Sequence, residues 1–541
     1  MALRVRRLLL DGVRGRDWAT PVVLAATLFV LVAAVARIAS TEPLSSTDES
    51  AHVDYALRVW HGQLPVLMDG VRFQPGFGHH PPVQWVAQHP PLYYVLLAPL
   101  VGPLVDAGHP VQAVVAARIV NAIIVAGIVP AAAWAASRCF PGARRLPATV
   151  AVVSGFTAVL VVQAGVVYND SLAALLGALA CGVAGAALRS GVTPRLLVCG
   201  ALVAAAGMTT RLSFALWLVA VAVAFLLART VRLGRLQGVW ARVVVALVPV
   251  VAAAAASGWF WVRNTIVAGS FSGRPKAWPG WVPRPHFTDQ EVATKPAFWK
   301  QLFALYRGAL DLRDAVPWIL LLAPVLLLVV SLVVLLVRRV ATGRGRYPGR
   351  SSAPGDGWPR TLVVAMLVTV VVLFVLVEIR YMAGGGAPIN RYTLSVWAPI
   401  AIALAAGLRA SRHAAVVLVP AWTLLSLVPI WSLLHFEGAT LVPHSAKLVL
   451  AATVLAGVLT AVTIALFVAG ELAGLRRDRD DRDDPDDGDG RDDRDDRDGR
   501  DERDGRDGRD GRDGRDGRSA SDAGPAQRDG DQLIAPRSTA R

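Results

Sequence analysis

The sequence predicts an all-α polytopic membrane protein with about twelve transmembrane helices. Of its 541 residues, 54% are hydrophobic, and the apolar residues form blocks of about 17 to 25, the length of helix that crosses a hydrocarbon core. A transmembrane β-barrel would instead show short segments of alternating hydrophobicity. The Arg-dense short loops also fall on one side of this helix arrangement, as the positive-inside rule requires if the N-terminus is cytoplasmic.

The apolar blocks predict the following spans: 20–38, 112–136, 146–164, 171–188, 195–208, 212–228, 243–262, 316–337, 361–377, 392–408, 414–434 and 448–469. The segment 92–105 is shorter and contains Pro and Gly, so it is predicted to be a juxtamembrane or re-entrant helix. The Arg-containing N-terminus precedes the first span without a small-residue cleavage site, and we interpret it as retained. Two long segments, 40–111 and 263–315, are predicted to lie outside the membrane.

The net charge of +15 divides unevenly along the chain. Residues 471–541 contain 17 Arg against 24 acidic residues, which leaves 38 basic and 16 acidic residues in the rest of the chain. Basic cytoplasmic loops explain this excess, so no nucleic-acid partner is predicted. The sequence thus predicts a cytoplasmic N-terminus at 1–19, a membrane module at 20–470 and a cytoplasmic tail at 471–541. The tail repeats Arg-Asp-Gly with few apolar residues and is predicted to be disordered.

The stretch TDESAH, directly after the first span, is the strongest candidate for a functional site. Ionisable groups close to a bilayer are costly and tend to mark chemistry or ion pathways. On a helix, Asp48 and His52 share a face, and a carboxylate beside a histidine could act as a general base or hold a divalent metal. Helix capping is the alternative for Asp48 and for Glu49. Asp54 and Arg58 have the same spacing and predict an amphipathic surface helix.

The stretch HPPLYY begins the short apolar segment at 92–105. It places His89 at the entrance to the membrane, with Tyr93 and Tyr94 at the depth of the lipid headgroups. Taken alone, this pattern is typical of an interfacial anchor. Trp278 and Trp281 in the second outer segment also fit an interfacial aromatic belt, and stacking on a sugar or gripping a lipid chain is the alternative.

The stretch YNDSLAALLGALA places Asp170 at the outer end of a predicted span. Capping of this helix by Asn169 or Asp170 is one interpretation. The functional interpretation puts Asp170 beside Asp48 across one outer cavity, where the two carboxylates could share the work of a base and of metal or substrate orientation.

Several arginines on the predicted outer side run against the positive-inside trend: Arg211, Arg263, Arg380 and Arg391. A lipid-linked phosphate in the outer leaflet would explain them, because a guanidinium binds phosphate through two hydrogen bonds. Snorkelling to the headgroups is the alternative. The sequence has no Walker A motif, Rossmann glycine pattern, zinc pair or nucleophile elbow in a usable context.

Five short motifs in this order resemble the GT-C superfamily of integral-membrane glycosyltransferases: TDESAH, HPPLYY, YNDSLAALLGALA, WVRN and NRYTLSVWAP. Protein O-mannosyltransferases and aminoarabinose transferases share such a plan. The resemblance extends roughly over 20–469. The chain lacks the large folded extracytoplasmic C-terminal domain of some relatives, which leaves the acceptor open. It also has Arg211 where many relatives have Lys, a change that keeps the charge.

The resemblance implies transfer of a sugar from a polyprenyl-phosphate donor to an extracytoplasmic glycan, lipid or protein acceptor, with inversion, in the plasma membrane. It implies a catalytic set of Asp48 as base, its neighbour Glu49, and Asp170. The donor phosphate is expected to contact Arg391, Arg263 and Arg211. Substrate contacts are expected from His52, His89, Tyr93 and Tyr392. A divalent metal, Mg or Mn, held by Asp48 and Asp170 is left open.

Two other classes of protein remain compatible with the sequence. A transporter or flippase of lipid-linked intermediates would also have about a dozen helices and outward arginines. It would place ionisable groups near the bilayer midplane and break helices in paired halves. Here the charges gather at the outer ends of the spans, which favours chemistry at the surface over passage. A scaffold acting through its charged tail would make Asp48 and Asp170 dispensable.

Overall fold

The computed structural model describes residues 19–46, 48–232, 238–275, 278–279, 282, 284–307, 315–341, 357–435 and 445–483. Within these residues the chain forms seventeen α-helices and short 3₁₀ turns, and no strand. The predicted tail from Asp484 onward, most of the predicted N-terminal segment and Trp281 lie outside the described residues.

The helices follow one another as α1 (Ala19–Ser40), α2 (Glu49–Trp60), α3 (Leu92–Asp106), α4 (Pro110–Cys139), α5 (Leu146–Gly155), α6 (Ala158–Ala164), α7 (Asp170–Ser190), α8 (Pro194–Met208), α9 (Ala215–Leu226), α10 (Gly238–Ala268), α11 (Asp289–Thr294), α12 (Pro296–Leu302), α13 (Ala315–Ala341), α14 (Gly357–Ala383), α15 (Trp397–Leu408), α16 (Arg412–His435) and α17 (Ser445–Asp483). The 3₁₀ turns are Leu67–Asp69, Trp85–Gln88, Leu212–Phe214 and Asn390–Val396.

All twelve predicted spans coincide with helical segments, but not all of them are long. In the described part of the chain, nine helices are long and apolar enough to cross a membrane. The pair α5 and α6, bent by 59°, makes a tenth if it is one span. The other two predicted spans, 195–208 and 212–228, correspond to the shorter apolar helices Pro194–Met208 and Leu212–Leu226. At 15 residues, α8 is about 22 Å long, less than the roughly 30 Å of a hydrocarbon core. The protein is therefore an all-α polytopic membrane protein, with fewer full-length spans than predicted.

Helix α7 forms the centre of the bundle, and 89% of its most apolar window is buried, against 17% for α13. It packs along α4 through small residues. A Cβ atom at Gly182 would lie 2.0 Å from the Trp134 ring, and one at Gly185 would lie 2.5 Å from the sulfur of Cys139. Glycines at these positions let the two helices approach closely, as is common between membrane helices.

The last helix, α17, packs along α1 and is also tied to α15 by a buried ion pair. Fully buried Glu471 accepts hydrogen bonds from Arg409 at 2.5 and 3.3 Å. Arg145 lies 3.5 Å from the same carboxylate. The structure thus places Glu471 in the packed helix rather than in the predicted tail, and α17 continues to Asp483.

The prediction of an amphipathic surface helix around Asp54 and Arg58 is wrong. Both side chains are buried, and Arg58 donates to Asp54 at 2.8 Å. Asp54 also accepts from the backbone amides of Arg72 and Phe73 at 2.9 Å, and from Gln84 at 2.6 Å. The pair anchors the first outer segment, which folds back over α2. The spacing of Asp54 and Arg58 does not reveal that residues later in the sequence bury them.

Candidate active site

A cavity of about 230 Å³ lies where the first outer segment, the starts of α7 and of the Asn390–Val396 turn, and the end of α14 come together. Asp48, Asp170, Arg211 and Arg391 line it, as do His52, His89 and Tyr392. Most of the residues predicted for the site therefore meet in one place. The segments that carry them are far apart in sequence, and the fold brings them together at one end of the bundle.

An alternating chain of charges forms one wall of the cavity. Arg391 donates from Nη2 to Asp48, and its Nε lies 3.3 Å from Asp170. Arg211 forms an ion pair with the other oxygen of Asp170. The Arg391 guanidinium lies 4.0 Å above the centre of the Tyr168 ring, within the range of a cation–π contact. The two predicted carboxylates are thus linked through one arginine.

Neither carboxylate serves as a helix cap. Asp48 occupies the N-cap position of α2, but its side chain makes no capping hydrogen bond. Asn169 is the N-cap residue of α7, and it makes no side-chain capping bond either. The side chain of Asp48 is 20% exposed and that of Asp170 is 5% exposed. Asp48 is consequently the carboxylate that a substrate in the cavity can reach.

Glu49 does not line the cavity. It is fully buried against Arg118 of α4, whose Nε and Nη2 donate to its two oxygens at 2.7 Å each. The same oxygens accept from the backbone amides of Val167 at 3.1 Å and Leu44 at 3.0 Å. With four donors around it, Glu49 holds the turn before Asp48 and the segment before α7 in place. The structure gives it a positioning role instead of the predicted place in the catalytic set.

Histidines form a second, neutral side of the cavity. His52 is buried, hydrogen-bonded to the Tyr94 hydroxyl at 3.0 Å and edge-on to Tyr168. Burial, and next the charge of Arg391, lowers the pKa of His52 well below its usual 6.5. Burial and the charges of Arg211 and Arg391 likewise lower the pKa of His89. Both imidazoles are therefore neutral at pH 7 and can donate or accept one hydrogen bond to a substrate.

Three residues singled out in the sequence do not line the cavity. Tyr93 is buried in the core, where its hydroxyl donates to Asn121 at 2.9 Å, so it does not contact the cavity. Arg263 donates to the backbone carbonyl of Pro65 at 2.9 Å and holds the first outer segment. Arg380 is 77% exposed and lies 3.3 Å from Asp289. The expected phosphate contact from Arg263 is not supported by this geometry.

Trp278, for which stacking on a sugar was the alternative, also lines the cavity. Sequence reasoning missed a further set of lining residues, four from the two outer segments and one from α14: Trp85, Gln88, Arg274, Arg284 and Tyr381. The positive-inside rule counts charges in short loops only. Arginines inside the long segment 263–315 therefore gave no signal, although this segment is predicted to lie on the same outer side as Arg391. Aromatic residues between the prolines of that segment were the available hint.

The cavity residues do not form a metal site as they are arranged. Among the described residues, no group of three or more His, Cys, Asp or Glu side chains is placed to hold an ion. Arg391 lies between Asp48 and Asp170, and Arg211 occupies the second oxygen of Asp170. A divalent cation shared by the two carboxylates would have to displace Arg391, so the donor set does not fit the metal that the sequence left open.

No protein-family model and no curated protein matches this chain. Solved chains of the Archaeoglobus fulgidus oligosaccharyltransferase are similar in structure. The apo form has a TM-score of 0.40 at 13% identity and covers 84% of this chain and 56% of its own. The form tethered to an acceptor peptide with the NVT sequon has a TM-score of 0.39 at 11% identity and covers 84% of this chain and 55% of its own. The complex with Zn and sulfate has a TM-score of 0.38 at 13% identity and covers 76% of this chain and 52% of its own.

This chain therefore spans about half the length of the oligosaccharyltransferase chains that it resembles. Identities of 11–13% and TM-scores near 0.4 transfer no activity to it, and its function has to be argued from its own side chains.

Proposed function

We propose that this protein is a membrane glycosyltransferase that moves a sugar from a polyprenyl-phosphate donor to an acceptor hydroxyl on the extracytoplasmic face of the plasma membrane, with both termini in the cytoplasm. One observation carries the proposal: a carboxylate, Asp48, is open to a cavity whose described lining contains four arginines and one other carboxylate, Asp170. Such a cavity attracts an anion and offers a base beside it.

Arg391 and Arg211 are suited to bind the donor phosphate. Arg391 donates from Nη2 to Asp48, and its Nε lies 3.3 Å from Asp170 but has no hydrogen-bond partner among the described residues. Arg211 uses Nη1 on Asp170 and Asn169 and has Nη2 and Nε left. Asp170 thus forms ion pairs with both guanidinium groups, and both arginines line the cavity. Charge-assisted hydrogen bonds of this kind are stronger than neutral ones.

The reaction follows from this arrangement. The acceptor hydroxyl loses its proton to an oxygen of Asp48 as its own oxygen attacks the anomeric carbon. The bond from that carbon to the phosphate oxygen breaks, and polyprenyl phosphate leaves with the electron pair, stabilised by Arg391 and Arg211. Attack from the face opposite the phosphate inverts the configuration. Arg391 holds Asp48 in an ion pair, and binding of the donor phosphate to Arg391 would free the carboxylate for proton transfer.

The test uses full-length protein in lipid nanodiscs, radiolabelled polyprenyl-phosphate sugars and a membrane or cell-wall acceptor fraction. Asp48→Asn should lower transfer by about 10²–10⁴-fold, the usual contribution of a general base. Asp69→Asn is the matched control, because Asp69 is 43% exposed in the same outer segment and does not line the cavity. Size-exclusion profiles should coincide for all three proteins.

Transfer by Asp48→Asn at the rate of wild type would refute the assignment of the base. No transfer from any donor, combined with movement of labelled donor across the bilayer, would favour a transporter or flippase. Activity unaffected by any cavity substitution but lost on removal of the tail would favour a scaffold.

A further inference from the structure

Two arginines of the second outer segment, Arg274 and Arg284, reach the cavity separately from the pair that Asp170 orients. Neither forms an ion pair with a carboxylate among residues 19–483 that the structure describes. Asp48 attracts Arg284 only at longer range. Neither guanidinium group has a role in the proposed transfer mechanism.

Arg284 is held in a fixed position by aromatic rings. Its guanidinium lies 4.1 Å from the ring centre of Trp85 and 4.9 Å from that of Trp278. Nη1 donates to the carbonyl of Gly385 at 3.4 Å. Nε is buried and has no hydrogen-bond partner among the residues that the structure describes. Stacking occupies the faces of a guanidinium and leaves its N–H edge available for an oxyanion.

Arg274 is brought to the same wall by a tight turn. The amide of Gly273 donates to Ser270 at 3.0 Å, and Gly273 has a φ of 77°. A Cβ atom at this glycine would lie 3.0 Å from Gln88, so the turn packs directly against the first outer segment. The Arg274 guanidinium then lies 4.6 Å from the ring centre of Tyr381.

The two charges lie close enough to disfavour each other. Burial first, and then the charge of Arg274, lowers the pKa of Arg284. A partly buried cation beside a like charge is stabilised when an anion binds to both. Because the phosphate of a membrane-anchored donor has Arg211 and Arg391 at the ends of the spans, the loop arginines are available to a second anionic group.

We propose that Arg274 and Arg284 form a second oxyanion-binding subsite, which receives a phosphate or similar anionic group carried by the acceptor. This inference rests on the proposed function and narrows the acceptor to an anionic molecule. A second phosphate on the donor has the same chemistry, and the experiment separates the two sources.

The experiment measures equilibrium binding to full-length protein in nanodiscs of zwitterionic lipid. The probes are glycerol phosphate for the acceptor, geranyl phosphate for a monophosphate donor and geranyl diphosphate for a diphosphate donor. Arg284→Gln should raise the Kd for glycerol phosphate by about tenfold or more, as expected for a lost charge-assisted hydrogen bond. The same variant should bind geranyl phosphate as tightly as wild type does. Arg391→Gln should bind geranyl phosphate more weakly and glycerol phosphate as tightly as wild type does. Arg72→Gln is the control, because Arg72 is 60% exposed in the first outer segment and does not line the cavity.

Arg284→Lys keeps the charge but lacks the planar fork, and an intermediate loss for glycerol phosphate would support the subsite without relying on the Gln variant. Equal binding of glycerol phosphate by wild type, Arg284→Gln and Arg274→Gln would overturn the proposal. A loss confined to geranyl diphosphate would overturn the assignment to the acceptor. Loss of geranyl phosphate binding in Arg391→Gln tests the donor site independently, so failure of the proposed function is visible separately.

Discussion

Glu49 and Asp48 are adjacent in sequence, and we expect their amide substitutions to have opposite consequences. Each oxygen of Glu49 accepts one hydrogen bond from Arg118 and one from a backbone amide. Whichever oxygen becomes NH₂ in Glu49→Gln, this new donor would point at two existing donors, one from Arg118 and one from a backbone amide. The substitution also leaves the Arg118 guanidinium, which is fully buried, without a negative partner.

The expected magnitude follows from burial. Both side chains of the Glu49–Arg118 pair are 0% exposed, and removal of one partner from a buried pair costs about 3–5 kcal/mol. The same carboxylate fixes the amide of Leu44, whose φ of 61° is unfavourable for a non-glycine residue. The side chain of Asp48 is 20% exposed, and Asp48→Asn leaves Arg391 within 3.3 Å of Asp170, so Asp48→Asn should lower the free energy of unfolding by less than Glu49→Gln does.

The assay is a reversible SDS titration of the protein in mixed micelles, followed by size exclusion, with transfer measured on the folded fraction. Glu49→Gln should lower the free energy of unfolding by about 3–5 kcal/mol. Its folded fraction should retain transfer within about tenfold, because Glu49 does not touch the cavity. Asp48→Asn should remain folded and lose transfer. The double variant Glu49→Gln/Arg118→Met should be more stable than Glu49→Gln alone, since no unpaired charge stays buried.

A Glu49→Gln protein as stable as wild type would refute the buried-pair reasoning. A stable Glu49→Gln protein that loses transfer as completely as Asp48→Asn would return Glu49 to the catalytic set. A double variant no more stable than Glu49→Gln would mean that hydrogen bonding to the backbone, and not charge, dominates at this position.

Three further predictions concern the cavity and the bundle. Because burial lowers the pKa of His52, the stability that its neutral form contributes is present above about pH 6.5 and is lost as pH falls below that value; His52→Gln should reduce this pH dependence of SDS unfolding. Arg391 stacks on Tyr168 at 4.0 Å, so Tyr168→Leu should raise the KM for the donor by about tenfold, whereas Tyr168→Phe should change it by less than about threefold. A Cβ atom at Gly407 would lie 1.8 Å from the carbonyl oxygen of Pro324, so Gly407→Ala should lower the free energy of unfolding by about 1–3 kcal/mol.

Each of these has an outcome that contradicts it. An unchanged pH slope in His52→Gln would mean that other groups govern acid sensitivity. Equal KM values for the Phe and Leu variants at Tyr168 would remove the cation–π contribution. The control is Gly457→Ala, at a glycine of α17 that has open space around it. Wild-type stability of Gly407→Ala as well as of this control would contradict the close approach of α13 and α15.

The apolar blocks of the sequence located all twelve predicted segments, because crossing or entering a membrane requires length and apolar composition, and both are local properties. They did not distinguish full spans from shorter helices. The bend between Gly155 and Ala158 separates two apolar helices without a change in composition. Such breaks depend on what packs beside the helix, and composition carries no record of it.

The same limit applies inside the site. Consecutive residues on a helix do not face each other or the same neighbour. Of two adjacent carboxylates only one lines the cavity. Of two adjacent tyrosines, the Tyr94 hydroxyl bonds to His52 whereas the Tyr93 hydroxyl donates to Asn121. The sequence predicted that acidic and aromatic residues matter here, but it did not predict the partner of each one.

By itself, the sequence determined a multi-helix membrane protein with ionisable residues gathered at one end of its spans, because the cost of charge in hydrocarbon confines such residues to particular positions. The tertiary structure decided which of those residues act together. Arg118 is 69 positions from Glu49, and Arg391 is 343 positions from Asp48. Pairing over such separations depends on how α2, α4, α7 and the Asn390–Val396 turn pack against one another. That packing made Glu49 a buried support and left Asp48 open to the cavity.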